Sequence, residues 1–226
     1  MGHQQLNDML ASIEVDCRRT QSYTGIREFR PEVMAAIARV PREEFVPKAF
    51  QPWAYENKPL PIGDEQTISQ PFIVALMTDL LCPDKGDVIL EVGTGSGYQA
   101  AILSQLVNKV YTLEIVPSLA MKAGQILKKL GCQNVEIGQG DASRGWAEYS
   151  PYDGIIVTAA ASHIPVFLKE QLKPGGRLVI PIGRPNGPQN LWLIQKDEQG
   201  GFSKQNILPV AFVPFTGELG SSSNLE

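Results

Sequence analysis

The sequence predicts a doubly wound, mostly parallel α/β domain (a Rossmann-like sheet) with an N-terminal helical and loop extension. Three observations carry that prediction. From about residue 85 onward, short β-branched runs alternate with stretches of helical periodicity. A glycine-rich turn, Gly93-Thr94-Gly95-Ser96-Gly97, joins the first of these runs to the first of these helices. Before residue 85, apolar residues recur at helical spacing and then give way to a proline-dense stretch. Repeated βα units require a parallel sheet covered by helices on both faces. The chain therefore divides into an extension (1–84), an α/β core (85–218) and a tail (219–226).

In the extension, Leu6, Met9, Leu10, Ile13 and Cys17 share one helix face. Val33, Ile37 and Val40 share another, with Pro31 at a first-turn position. Pro47, Pro52, Pro59 and Pro61 follow, so that stretch is expected to be extended and irregular, neither helix nor central strand. A further helix is predicted over 72–81. In the core, strands are predicted at 88–92, 109–114, 134–137 and 154–157 (with a 152–153 lead-in), and helices at 98–106, 117–130 and 164–172. Lys173-Pro174-Gly175-Gly176 should stop the last helix. Strands at 177–182, 190–196 and 207–213 complete the sheet, the last two open to antiparallel pairing.

Composition excludes several classes. The 226 residues carry 20 Lys+Arg against 24 Asp+Glu, a net charge of −4 without a basic run, which disfavours nucleic acid as a partner. A hydrophobic content of 43% is enough for a sizeable core. No apolar stretch approaches the roughly 18–20 residues that span a bilayer, so no membrane partner is expected. Residues 1–19 hold no signal-peptide core. Cys17, Cys82 and Cys132 are scattered, and His3 and His163 are the only histidines, so neither a disulfide framework nor a metal site is expected. The default expectation is a cytoplasmic monomer. Residues 1–3 and 221–226 are expected to be poorly ordered.

In such a sheet, ligands bind beyond the carboxyl ends of the strands, where the strand order reverses. The first βα turn, Glu91-Val92-Gly93-Thr94-Gly95-Ser96-Gly97-Tyr98, frees backbone amides at a helix start. Tyr98 stands where a dinucleotide fingerprint needs its third glycine, and Glu91 would repel a pyrophosphate but suits a cation. Glu114 closes the second strand, where a carboxylate can accept both hydroxyls of a ribose, with Ile115 next to it. Asp141 and Ala142 follow the third strand, where adenine recognition would fall. Together these describe a phosphate-free nucleoside with an amino-acid tail. S-adenosylmethionine, leaving as S-adenosylhomocysteine, fits that description.

At this point the chain resembles a class I methyltransferase, in its elbow and in Leu172-Lys173-Pro174-Gly175-Gly176-Arg177-Leu178. The segment Pro59-Leu60-Pro61-Ile62-Gly63-Asp64-Glu65-Gln66-Thr67-Ile68-Ser69-Gln70-Pro71 resembles the signature of the protein-L-isoaspartate O-methyltransferases. Arg42-Glu43-Glu44-Phe45-Val46-Pro47, the stretch 152–160 and Val213-Pro214-Phe215-Thr216 match other elements of that family, in order. The resemblance implies methyl transfer to the α-carboxylate of isoaspartyl residues in damaged peptides and proteins. The ester then cyclises to a succinimide whose hydrolysis regenerates some aspartate. It also implies a carboxylate-orienting role for Ser69, cofactor contacts for Gln66 and Thr67, and acceptor contacts for Ile62, Gly63, Gln70 and Thr216. A carboxylate acceptor is already ionised at neutral pH and needs no general base. One departure stands out. Asp64-Glu65 replaces uncharged residues, and two carboxylates there would repel an anionic acceptor unless turned to solvent or toward the sulfonium.

The alternatives are a class I methyltransferase with another acceptor and a silent module that binds cofactor or peptide. His163 reads as a loop residue, and Cys132 as a packing residue at a helix end. Trp146 and Tyr149 either stack on an adenine or pack against the sheet.

Overall fold

The computed structural model describes residues 2–184, 187–215 and 217. The extension contributes α1 (Gly2–Thr24), α2 (Pro31–Arg39), a hairpin of β1 (Leu60–Gly63) and β2 (Gln66–Ile68), and α3 (Pro71–Leu81). The core follows as β3 (Val88–Val92), α4 (Tyr98–Ser104), β4 (Lys109–Glu114), α5 (Pro117–Lys129), β5 (Val135–Gln139) and β6 (Tyr152–Val157). It ends with α6 (Val166–Glu170), β7 (Leu172–Gly183), β8 (Gln189–Lys196) and β9 (Phe202–Val210). The sheet order is β5-β4-β3-β6-β7-β8-β9. The first five are parallel, and β8 runs antiparallel to both β7 and β9. The order reverses between β3 and β6, as the doubly wound prediction requires.

Alternation along the strands builds two cores. Ile89, Ile156 and Val179 face one side, whereas Leu90, Ile155, Val157, Leu178 and Ile180 face the other. The first side is shared with the extension: Met9, Ile13, Val33, Ile37 and Leu76 belong to the same continuous apolar cluster. Among the described residues no helix is long and apolar enough to cross a membrane. Helix α5 ends as its sequence requires. Gly131 adopts φ +73°, its amide bonds the Lys128 carbonyl, and the Cys132 amide bonds the Leu127 carbonyl.

Four expectations need correction. Helix α1 begins at Gly2, so the chain is already helical at His3, where poor order was expected; one face buries Met9, Ile13 and Cys17, and a Gln4 to Asp8 side-chain hydrogen bond supports the exposed first turns. The proline-dense stretch is not merely irregular. It forms 3-10 turns at Arg42–Phe45 and Lys48–Trp53, then the β1–β2 ribbon. Proline's fixed φ suits such turns, and a two-stranded ribbon tolerates Pro61. Strand β7 starts at Leu172 and carries Pro174-Gly175-Gly176 as an irregularity against β6, while α6 shrinks to Val166–Glu170. Strand β9 lies earlier than predicted because Ser203, Lys204, Gln205 and Asn206 are exposed and held by backbone pairing to β8, which leaves no apolar signature.

Arg42 is completely buried and joins the extension to the core. Its Nε donates to the Ala54 carbonyl at 2.9 Å, and its Nη2 donates to the Lys58 carbonyl at 3.4 Å and the Ser69 carbonyl at 2.7 Å. The guanidinium carbon lies 4.8 Å from the centre of the Tyr98 ring, and Phe45 meets the same ring edge-on at 5.4 Å. Arg42→Met should lower stability by about 3–5 kcal/mol, because the Ala54, Lys58 and Ser69 carbonyls lose their donor at once. A thermal melt should therefore show Tm falling by roughly 10 °C. Arg42→Lys should recover only part of this, since an ammonium cannot reproduce the planar fork.

Candidate active site

A cavity opens beyond the carboxyl ends of β3, β4 and β6, at the reversal of strand order. Residues 91–96 form its floor and 113–116 one wall. Thr158, Ala159 and 213–215 form the opposite wall, and 66–69 close it from the extension. The elbow is glycine for a stereochemical reason. Gly93, Gly95 and Gly97 have φ of +93°, +53° and +87°, and a Cβ on Gly93 would sit 2.5 Å from Thr158 Oγ1.

Two carboxyl side chains line this cavity in different surroundings. Glu114 is bracketed by backbone, one oxygen accepting from Gly95 N–H at 2.7 Å and the other from Val116 N–H at 2.9 Å. Each oxygen keeps a lone pair for a further donor. Glu91 is fully buried. Its Oε2 accepts from the Thr112 hydroxyl at 2.6 Å, which in turn lies 2.7 Å from the Thr94 hydroxyl. Its Oε1 has no hydrogen-bond partner among the described residues. Burial pushes the Glu91 carboxyl up to about 8, opposed by the Thr112 hydrogen bond and aided by the nearby Glu114 charge. An unpaired, desolvated carboxyl beside a cavity suits a cationic group.

A second cavity, a groove of about 540 Å³, lies between α1, the start of α3 and residues 208–213. Thr67, Ser69, Thr158 and Val213 line both cavities, so Ser69 stands at their junction. Arg42 fixes the Ser69 carbonyl, and among the described residues the Ser69 hydroxyl has no hydrogen-bond partner. Gln70 precedes α3 and lines the groove, with Pro71 opening the helix. The sequence predicts free amides at the start of α3 after Pro71, and the structure corrects this: the first of them, Phe72 N–H, donates to Asn57 Oδ1 at 2.9 Å.

Of the residues predicted for the site, Gln66, Thr67, Ser69, Glu91, Gly93, Thr94, Gly95, Ser96, Glu114, Ile115 and Ala142 converge on the first cavity. Ile62 and Gly63 line neither cavity. The hairpin instead lays Ile62 over the elbow, 3.7 Å from a Cβ built on Gly95, and sets Gly63 near Lys122 of α5. Asp141 also lies outside the lining. Its Oδ1 accepts from Ser143 N–H and caps the turn Ala142–Arg144, while Gly217 passes close to its carboxylate. Thr216 lies outside the described residues.

Asp64 and Glu65 form the two-residue hairpin turn, both with positive φ. The Asp64 carboxylate accepts from Ser118 at 2.9 Å and lies 3.8 Å from Lys122, so it is turned toward α5. Trp146 and Tyr149 pack on Tyr111 rather than lining the cavity, Tyr149 stacked at 4.1 Å. His163 is an exposed loop residue beside Ser162. Sequence reasoning left out of the site Thr158, Ala159 and 213–215. They are brought together by backbone bonds between Ala160 and both Val213 and Phe215, and only their place in matching family elements hinted at them.

Comparison with known proteins agrees with this geometry. The family profile of protein-L-isoaspartate(D-aspartate) O-methyltransferase matches residues 21–220. A protein-L-isoaspartate O-methyltransferase 2 of Syntrophobacter fumaroxidans is 57% identical over 92% of this chain and 85% of its own length. Another of the same name from a Polaromonas species is 53% identical over 93% of this chain and 100% of its own. A solved protein-L-isoaspartate O-methyltransferase superposes with a TM-score of 0.81 at 29% identity, covering 93% of this chain and 67% of that one.

The raised Glu91 pKa makes a stability prediction. Between the ordinary carboxyl value and about 8, the folded protein holds a proton that the unfolded chain has released, so stability falls as pH rises through that window. Glu91→Gln cannot ionise and should lose that slope. In melts of the ligand-free protein, the variant's Tm should gain several degrees on wild type between about pH 5 and about pH 8. A constant gap across that range would contradict the assignment.

Proposed function

The chain belongs to the protein-L-isoaspartate(D-aspartate) O-methyltransferase family; on that premise we propose that it methylates, from S-adenosylmethionine, the free α-carboxylate of L-isoaspartyl residues in damaged peptides and proteins. The observation that carries this reading is Ser69 at the junction of the two cavities, one built for a nucleoside and the other open to a peptide.

The cavity fits the donor on its own chemistry. Glu91 offers an unpaired buried oxygen to a cation, Glu114 offers two oriented oxygens to a diol, and the elbow glycines adopt positive φ that brings the backbone to the cavity floor. Residues 91–96, Glu114, Ile115, Ala142, Gln66 and Thr67 would hold it, with Asp141 fixing the Ala142 turn. When bound, S-adenosylmethionine supplies an electrophilic methyl group on a sulfonium. The acceptor carboxylate is already ionised, so the protein has no proton to remove. The Ser69 hydroxyl donates to one acceptor oxygen and sets its line of approach, held in place by the Arg42 bond to the Ser69 carbonyl. Gln70 borders the acceptor beyond it, and Thr216 is assigned to the same wall by family resemblance. Ile62 and Gly63 act indirectly, by holding the hairpin down over the elbow and excluding water. We place this activity in the cytoplasm, where Cys17, Cys82 and Cys132 would remain the free thiols they are here.

The decisive measurement is methyl transfer to an isoaspartyl peptide beside its aspartyl twin. Selective formation of a base-labile ester on the isoaspartyl peptide is expected; equal labelling of both, or none of either, would overturn the proposal. Ser69→Ala should lower kcat/KM by roughly 10- to 100-fold, the value of a hydrogen bond to a charged group, without weakening binding of S-adenosylhomocysteine.

A further inference from the structure

Beyond Ser69, the groove contains a single ionisable side chain among its described lining residues, Asp16 of α1. The other lining residues are neutral, from Thr20 and Gln70 to the apolar Phe72, Ile73 and Phe212. Helix register brings Asp16 there: Ile13 and Cys17 are buried in the core, while Asp16 and Thr20, one turn apart, face the groove.

The carboxylate is held in position. Asn57 Nδ2 donates to Asp16 Oδ2 at 2.9 Å, and Asn57 Oδ1 accepts the Phe72 amide at 2.9 Å, linking Asp16 to the helix start that follows Ser69 and Gln70. Its remaining charge partner is weak. Arg19 Nη1 lies 3.5 Å from Oδ1, but the Arg19 side chain is 75% exposed against 26% for Asp16. Solvent screens such a pair, and a ligand cation can displace it.

An isoaspartyl acceptor brings its own negative charge into this groove. A fixed carboxylate on the wall opposes it unless the acceptor also carries a cation that can reach that wall. We propose that Asp16 sets acceptor specificity, favouring isoaspartyl peptides with Lys or Arg close to the isoaspartyl residue and disfavouring those with acidic neighbours. This rests on the acceptor assignment above. An extended peptide advances about 3.3 Å per residue, so a lysine or arginine within a few positions can reach Asp16 from the Ser69 junction.

The test is a set of otherwise neutral isoaspartyl hexapeptides carrying Lys, Gln or Glu at each position in turn on either side of the isoaspartyl residue. At low ionic strength and at one or more positions, KM should be about three- to tenfold lower for Lys than for Glu, with similar kcat. The spread should narrow as salt is raised and collapse in Asp16→Asn, which keeps the shape but not the charge. Equal KM across the set in wild type, or the same ranking in Asp16→Asn, would overturn the inference while leaving the methyltransferase reading intact. No methylation of any isoaspartyl peptide would sink both.

Discussion

A single buried guanidinium holds the two halves of this protein in register. Arg42 holds the Ala54, Lys58 and Ser69 carbonyls of its own extension and lies across the boundary against Tyr98, the first residue of the helix after the glycine elbow. Its dense set of carbonyl acceptors satisfies much of a charge that would otherwise be costly to bury. The bulk of Tyr98, unexpected at a position where dinucleotide-binding turns place glycine, is thereby accounted for. The ring is the surface on which the extension docks, wedged between Arg42 and Phe45. The distance between the glycine elbow and Ser69 is thus set by packing across that ring.

On that frame, two glutamates at neighbouring strand ends acquire different properties. Both close parallel strands at the point where the sheet order reverses. Glu114 reaches two backbone amides and is stabilised as an acceptor, whereas Glu91 points into the interior, meets only one hydroxyl, and is driven toward its protonated form. A cation entering the cavity would compensate the unpaired oxygen, so the site is a better match for a sulfonium donor than for a phosphate-bearing nucleotide.

The hairpin tip shows how packing can turn an unexpected charge to a structural use. Asp64 and Glu65 occupy left-handed backbone positions better suited to asparagine and glycine, and each carries a negative charge at the hairpin tip. Once folded, Asp64 is turned toward Ser118 and Lys122 of α5, fastening the hairpin tip to the core. Sequence supplied the conflict, and only the packing of α5 beneath the hairpin supplied its resolution.

The legible features were those written in local patterns. Buried runs such as Val88–Val92 and Tyr152–Val157 announce themselves by unbroken apolar residues, α5 by its period and its terminal Gly131, and the elbow by glycines whose spacing allows little else. These determined the doubly wound core and the position of the nucleoside cavity. Other features arise from contacts distant in sequence and leave no local trace. They include the exposed first half of β9, placed by its backbone pairing to β8, and the far wall made by Thr158 and 213–215. They also include the packing of Trp146 and Tyr149 on Tyr111, the pairing of Asp64 with α5, and the approach of α1 that puts Asp16 on the wall of the second cavity. Periodicity and turn chemistry act over a few residues and so can be read directly. Which surfaces meet across the sheet depends on the burial of the whole chain, and that the tertiary structure alone decided.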